Sequence, residues 1–346
     1  MADQVTAKLK SLVRKIGDED AEVSFAALKE FCEVMNEPFR DGVLQKASAL
    51  RTPVREGVMP GDITAGIFEI INLDEDAAPE FPLDMLRPGT EKDFYAYTLP
   101  NHGYIPQRNV ESDYVMVPTF EVGNAIDWLL RYARKARWDV VSRALQIYQA
   151  GFVKKINDDC WHTILSAVYD RNILVYDSDA NAGQFTKRLV SLIKTLMRRN
   201  GGGNSTSMNR GKLTDLYVSP EAVEDMRDWN VDQVDEKTRY EIYNTPDGSL
   251  NRIYNVNLHD LDELGEGQEY QNYFSNTLSG SMASGDLELV VGLDLSTNDS
   301  FMMPVKSPIT TYPDTLMHRE RRAGVYGWTE YGVGALDGRR GIAGSL

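Results

Sequence analysis

The chain has 346 residues, of which 42% are hydrophobic, and it exceeds the roughly 250–300 residues at which a single core stops growing, so two domains are expected. Its net charge of −15 excludes strong nonspecific nucleic-acid binding by the surface as a whole, because such binding comes from Lys and Arg neutralising phosphates. No run of ~18 apolar residues would span a bilayer, and the N-terminal MADQVTAKLKSLVRKIGDED lacks the apolar segment of a signal peptide, which predicts a soluble protein made in a cytoplasm, with Cys32 and Cys160 as reduced thiols.

Two amphipathic helices are predicted at 4–16 and 21–36. Val5, Leu9, Leu12, Val13 and Ile16 form one stripe, and Phe25, Leu28, Phe31, Cys32 and Met35 form the next. From Arg51 onward Pro53, Pro60, Pro79, Pro82 and Pro88 forbid long helices and interrupt strand ladders, so this segment is expected to be an extended arm lying across another surface.

Residues 93–121 hold β-prone runs at 94–98 and 113–120 around a Pro-, Asn- and Gly-rich tip, the pattern of a long hairpin. An isolated two-stranded hairpin is marginal in water. Phe94, Tyr95, Tyr97, Tyr104 and Tyr114 therefore need a surface, either on their own domain or on a neighbour.

A helix is then predicted from Asn124 as N-cap to Gly151, about 27 residues and roughly 40 Å long. Ile126, Leu129, Leu130, Ala133, Ala136, Val140, Val141, Ala144 and Tyr148 form one stripe, while Trp128 and Trp138 fall on the far side, so the helix should meet two partners around its circumference. Further helices are predicted at 154–169 and 184–199. After a Gly-, Asn- and Ser-rich link, LTDLYVSPEAVEDMRDW reads as a short strand, Ser219 as N-cap, Pro220 at the first helical position and Glu221 in the first turn. The remainder reads as strands: a hairpin around Pro246-Asp247-Gly248, a buried strand in LELVVGLDL, and late strands in GVYGWTEYGVGALDGRRGIAGSL turning at Asp337-Gly338.

Chemical motifs fail one by one. Gly211-Lys212 invites a P-loop reading, but Thr206 stands where the first glycine belongs and Leu213 where the metal-side hydroxyl belongs. Asp177, Asp179 and Asn181 begin like a calcium loop, yet Ala182 replaces its glycine and Arg188 its closing Glu. His102, His162, His259 and His318 lack a partner at helical metal spacing. Cys160 and His162 point about 200° apart on a helix, and acidic pairs such as Asp158 and Asp159 carry no signal by sequence proximity. No catalytic residue, cofactor-binding residue or metal ligand is predicted, and the expectation is a non-enzyme without cofactors.

Charge is unevenly spread. RYARKARWDVVSR at 131–143 is basic, whereas EAVEDMRDWNVDQVDE and DELGEGQE are acidic, so blocks of opposite sign can attract copies of the chain to one another.

The succession of helical N-terminus, proline-punctuated arm, long hairpin, long helix, α/β unit and closing strands resembles the HK-ninety-seven-type fold of tailed-bacteriophage major capsid proteins. LTDLYVSPEAVEDMRDW is similar to the strand, Ser-Pro and helix of that family's axial domain, and GVYGWTEYGVGALDGRR to its closing strands. The resemblance implies an α+β capsid fold with a peripheral domain (long spine helix plus sheet), an axial α/β domain, an extended E-loop hairpin and an N-terminal arm. On that reading 1–50 is a helical N-terminal region, 51–92 the arm, 93–121 the E-loop, 122–183 with 302–346 the peripheral domain, and 184–301 the axial domain.

The implied function is self-assembly, through hexamers and pentamers, into the icosahedral head shell that encloses double-stranded DNA. A separate scaffold, a portal and decoration proteins are the implied partners. DNA contact is implied to be weak and nonspecific, through Arg131, Arg134, Lys135 and Arg137 or Lys8, Lys10, Arg14 and Lys15. Members that cross-link covalently use an E-loop lysine, which 93–121 lacks. Two alternatives stand beside this reading: an encapsulin-type compartment and a soluble hydrolase whose site assembles only in three dimensions.

Overall fold

A computed structural model describes residues 11–12, 15, 26–30, 62–64, 66–74, 76–83, 113–134, 138–181, 183–200, 211–229, 236–243, 252–278, 288–297, 300–314 and 320–346. Near the N-terminus, Ser11, Leu12 and Lys15 are helical, as are residues 26–30, and Leu12 and Leu28 are buried as their stripes require. The elements that follow are β1 (Glu69–Asn72), β2 (Glu80–Leu83), β3 (Asp113–Met116), β4 (Thr119–Leu129), α1 (Leu130–Arg134) and α2 (Trp138–Asp170). Then come β5 (Leu174–Val175), α3 (Lys187–Asn200), β6 (Asp215–Val218), α4 (Pro220–Asp228), α5 (Glu236–Tyr243), β7 (Arg252–Ile253) and β8 (Val256–Asp260). The chain closes with α6 (Glu269–Asn272), which runs into a π-turn at Tyr273–Thr277, then β9 (Leu289–Leu293), β10 (Phe301–Asp314), β11 (Arg322–Gly332), β12 (Gly334–Ala335) and β13 (Gly341–Ser345).

Two main sheets share α2. The first has the order β1-β10-β11-β4, with β12 added to β10, and the second the order β5-β13-β9-β6-β8-β7. At 33 residues and 1.5 Å per residue α2 is about 50 Å long. Its first half places Tyr148, Phe152 and Ile156 against Val305 and Ile309 of β10, Tyr331 of β11 and Val122 and Ile126 of β4. Its second half places Trp161, Ile164, Leu165 and Val168 against Tyr217, Leu289, Val291, Leu293 and Ala343 of the six-stranded sheet. The opposite face of that sheet is closed by α3 and α4, where Leu189, Val190, Ile193, Ala222 and Met226 meet Leu216, Val218, Val290 and Ile342. Neighbouring residues on β6, β9 and β13 thus go to opposite cores, the two-residue period of a strand buried on both sides.

The helix expected from Asn124 to Gly151 is corrected at both ends. Residues 119–129 are a strand, paired antiparallel with β11 from Arg322↔Leu129 to Gly332↔Thr119. Val122, Asn124, Ile126 and Trp128 recur at period two, and the full-length ladder with β11 outweighs the helical spacing also present in the segment. Val140, assigned to the buried stripe, is exposed. At the other end α2 runs through Gly151 and absorbs the helix predicted at 154–169. Gly151 is a point of close approach instead of a cap: a Cβ there would lie 2.6 Å from Nδ2 of Asn124, the atom that donates to the Tyr148 carbonyl at 2.9 Å. The two partners of this helix lie one after the other along its length, not on opposite sides of it.

Three further expectations change. Strand 113–116 forms, but it pairs with Glu80–Leu83 of the proline-punctuated arm; the run at 94–98 lies outside the described residues. Residues 236–243 are helical, and the turn of the following hairpin is at Tyr254-Asn255, with φ of 51° and 63°, the double left-handed geometry of a type I′ turn that asparagine tolerates. Pro246-Asp247-Gly248 lies outside the described residues. The last strand, β13, joins β9 and β5 in the six-stranded sheet and not β11. The arm itself adds β1 parallel to β10 and buries Ile67.

The unit after the glycine-rich link forms as expected. Ser219 caps α4 by accepting from the Ala222 amide at 3.1 Å, Pro220 occupies the first turn and Glu221 stands beside it. LELVVGLDL supplies β9, whose five residues are all buried.

Candidate functional site

The titratable groups are spent on holding elements together. On α2, Asp159 accepts from the Tyr331 hydroxyl at 2.8 Å and from Lys155 at 2.7 Å, while the neighbouring Asp158 accepts from the Tyr270 hydroxyl at 3.2 Å. Adjacent carboxylates thereby tie one helix to β11 and to α6. Burial, followed by repulsion from Glu269, raises the Asp158 carboxyl above the usual carboxylate range. Cys160 between these contacts is fully buried against Met303 and Tyr331, and burial pushes its thiol far up. His162 faces elsewhere, stacked on Tyr273 with ring centroids 3.9 Å apart. The pair holds no nucleophile geometry.

The segment that begins like a calcium loop has its cation built in. Arg188, at the twelfth position, pairs with Asp179 and, at 3.5 Å, with Asp177, which also accepts from the Thr186 hydroxyl at 2.7 Å. Among the described residues no group of three or more His, Cys, Asp or Glu side chains is placed to hold a metal. Next to the rejected P-loop, the Lys212 amide donates to buried Asp294 at 2.8 Å, and Asp294 pairs with Arg340, itself 5% exposed. The expected turn at Asp337-Gly338 is a 3-10 turn with Asp337 as its cap, and Asp337 lies 3.8 Å from Arg340. Three loops are closed by this one buried cluster.

Asp215 accepts from His259 at 2.8 Å and from Asn257 at 3.0 Å. Burial pushes its carboxyl up, but the bonds from His259, Asn257 and Thr214 outweigh it and the net shift is downward. The His259 ring stacks on Tyr217 at 4.7 Å, and among the described residues no Ser or Cys completes a triad with His259 and Asp215.

What the described molecule leaves open is surface. On β11 the odd-numbered residues face α2 and the even-numbered ones face outward. Outward side chains Tyr326 and Trp328 meet Tyr312 of β10, with centroid separations of 4.6 Å for Tyr312–Trp328 and 5.8 Å for Tyr312–Tyr326. Trp328 remains 39% and Tyr312 38% exposed. This aromatic face is bordered by the Arg322–Asp127 pair at 3.2 Å and the Lys306–Glu330 pair at 3.8 Å. Gly327 between them admits the inward Tyr148 hydroxyl and the Thr310 carbonyl, where a Cβ would collide with both.

A second open surface is the β2–β3 ribbon, a separate two-stranded sheet that leaves Tyr114 64% and Met116 63% exposed. The hairpin reading singled out Tyr114. The aromatic face was missed, although Tyr326 and Trp328 alternate with Gly, Val and Thr in GVYGWTEYG and so carried a period-two signal.

No protein-family model and no curated protein matches the sequence. Solved structures do match. The chain is similar to the cyanophage Pam1 capsid asymmetric unit, with a TM-score of 0.56 and 13% identity over 88% of this chain and 98% of that one. It is similar to the capsid of cyanophage P-SCSP1u, with a TM-score of 0.57 and 9% identity over 87% and 93%. The mature capsid of bacteriophage PhiM1 gives a TM-score of 0.53 and 13% identity over 86% and 90%. A shared arrangement across nearly the whole of each chain, at identities where side chains are mostly replaced, means that the fold of this chain is that of the tailed-phage major capsid proteins.

Proposed function

We propose that this chain is a major capsid protein that assembles with copies of itself, as hexamers and pentamers, into the icosahedral head shell around the double-stranded DNA of a tailed phage. The observation that carries the reading is the β2–β3 ribbon: within a phage-capsid fold, a two-stranded sheet joined to neither main sheet exposes Tyr114 and Met116, an arrangement marginal in water without a partner surface. The ribbon is the base of the E-loop. The five-stranded sheet with the first half of α2 serves as the peripheral domain, and the six-stranded sheet, which takes in β5 and β13, as the axial domain. The role is structural and not catalytic. A separate scaffold, a portal and decoration proteins are the partners, and the packaged DNA is met only by weak, salt-sensitive contacts.

The test is to purify the protein, alone and co-expressed with a candidate scaffold, and to image it by negative stain. Closed shells are expected in at least one condition; a discrete monomer or dimer in both overturns the reading, and shells holding a cargo enzyme instead of DNA assign it to the encapsulin class. Deleting Asn101–Gln107 should abolish shells while leaving the circular dichroism native-like. Shells boiled in detergent should run as one band near 38.9 kDa, because residues 93–121 offer no lysine for a cross-link.

A further inference from the structure

The two ends of the six-stranded sheet carry opposite charge. β6 and β8 run parallel, so both finish at the same end. There Glu221 follows β6, and Asp260, Asp262 and Glu266 follow β8. The group is compact: a Cβ on Gly265 would lie 2.8 Å from a Glu221 carboxylate oxygen. At the other end, where β8 begins, Lys194 of α3 donates to the Tyr254 carbonyl at 2.7 Å. Arg198 and Arg199 close α3 just before the chain returns to β6. Beyond Lys187 and Arg188 at its start, the latter already paired with Asp177 and Asp179, α3 carries Lys194, Arg198 and Arg199 toward this end and no acidic residue, and its apolar residues Leu189, Val190, Ile193 and Met197 are buried in the sheet. Its basic side is therefore the outward side.

We propose that these two ends bind each other in neighbouring copies: the basic C-terminal half of α3, with Lys194, Arg198 and Arg199, on one copy seats against Glu221, Asp260, Asp262 and Glu266 of the next. The inference rests on the shell-forming reading above. Two different patches on one chain make a heterologous contact, which gives a ring where its rotation closes, as it does in the hexamers and pentamers of the proposed shell. The occupant is a second copy because the complementary patch lies on the same chain, at the opposite end of strands only about 13 Å long. Crowding at the acidic end supports it. The Asp260 carboxyl is raised, first by burial and then by Asp262 and Glu221 against the pull of Arg227. Glu288 beneath them is pushed up to about 7 by burial, with Glu221, Asp225 and Glu266 adding to the rise against a hydrogen bond from Ser219. A surface whose own carboxylates disfavour each other's charge gains from a cationic neighbour.

The experiment reverses each end and then both, in the full chain. Lys194→Glu with Arg199→Glu makes both ends acidic, and Asp262→Lys with Glu266→Lys makes both basic. Circular dichroism establishes that each variant is folded, and shell yield is read by light scattering and microscopy. Each double variant should lose at least tenfold in yield, while the quadruple variant should regain most of it and an equimolar mixture of the two doubles only part, because a five-membered ring cannot alternate them. Wild-type yield should also fall with added salt. Double variants that assemble like wild type, or a loss that neither the quadruple variant nor the mixture repairs, overturn the contact and leave the shell reading intact. A wild-type chain that never assembles removes the shell reading, and this contact with it.

Discussion

The six-stranded sheet and the five-stranded sheet lie on the same long helix but bury themselves differently. In the first, α2 closes one face and α3 with α4 the other, and every residue of β9 and β13 is buried. In the second, α2 closes only one face, and the other presents Tyr312, Tyr326 and Trp328 beside surface ion pairs. A sheet enclosed on both sides carries its own stability. A sheet enclosed on one side keeps apolar area in reserve, and on the proposed reading that area is covered in the shell.

If the six-stranded sheet is the self-sufficient part, the largest losses should come from within it. Trp161→Ala, at a residue with no exposed surface between Tyr217 and Tyr270, should cost about 3–5 kcal/mol in denaturant unfolding of the unassembled subunit. Arg340→Ala should cost a similar ~3–5 kcal/mol, because it strands Asp294 as a buried charge. The exposed counterpart in the other sheet, Arg322→Ala opposite Asp127, should cost no more than about 1 kcal/mol. Equal losses from the two arginines would erase the distinction.

A smaller loss should come from the covered face of the five-stranded sheet. Gly327→Ala forces a methyl into the Tyr148 hydroxyl and the Thr310 carbonyl and should cost about 1–3 kcal/mol. Unchanged stability would mean that β11 stands farther from α2 than its packing indicates.

The pH dependence sharpens the contrast at the acidic end. The Glu288 carboxyl is raised in the folded protein to about 7 from an ordinary 4.5, chiefly by burial. The folded chain therefore keeps a proton that the unfolded chain releases. The stability this provides is fully present below pH 4.5 and is lost as pH rises through about 7. The melting temperature should fall by roughly a few degrees between pH 5 and 8, and Glu288→Gln should flatten that slope; a slope unchanged in the variant would place the titration elsewhere. Trp328→Ala on the open face removes the stack on Tyr312 and should cost about 0.5–1.5 kcal/mol, with the larger change appearing in shell yield.

Several features could be read directly from the residues because their causes are local. Ser219 and Pro220 open α4 through one amide and one fixed φ, and the continuous apolar run of LELVVGLDL admits little but a strand buried on both faces. The P-loop and calcium-loop readings fail on single positions, and Arg188 fills the place of the missing cation. The segment 119–129 was different. Ile126, Leu129 and Leu130 fit a helix, while Val122, Asn124 and Ile126 fit a strand, and the choice was made by an eleven-residue ladder with β11, a partner some two hundred positions away. Gly151 looked like a helix end because glycine often is one, yet it is the point at which β4 must come near α2. The aromatic face needs two strands in register, Tyr312 opposite Tyr326, and the charged ends of the six-stranded sheet need β6 and β8 to run parallel. Backbone capping and burial patterns act over a few residues and are written in the sequence. Strand partners, close approaches and shared faces are set by which distant segments bury each other, and only the tertiary structure decides them.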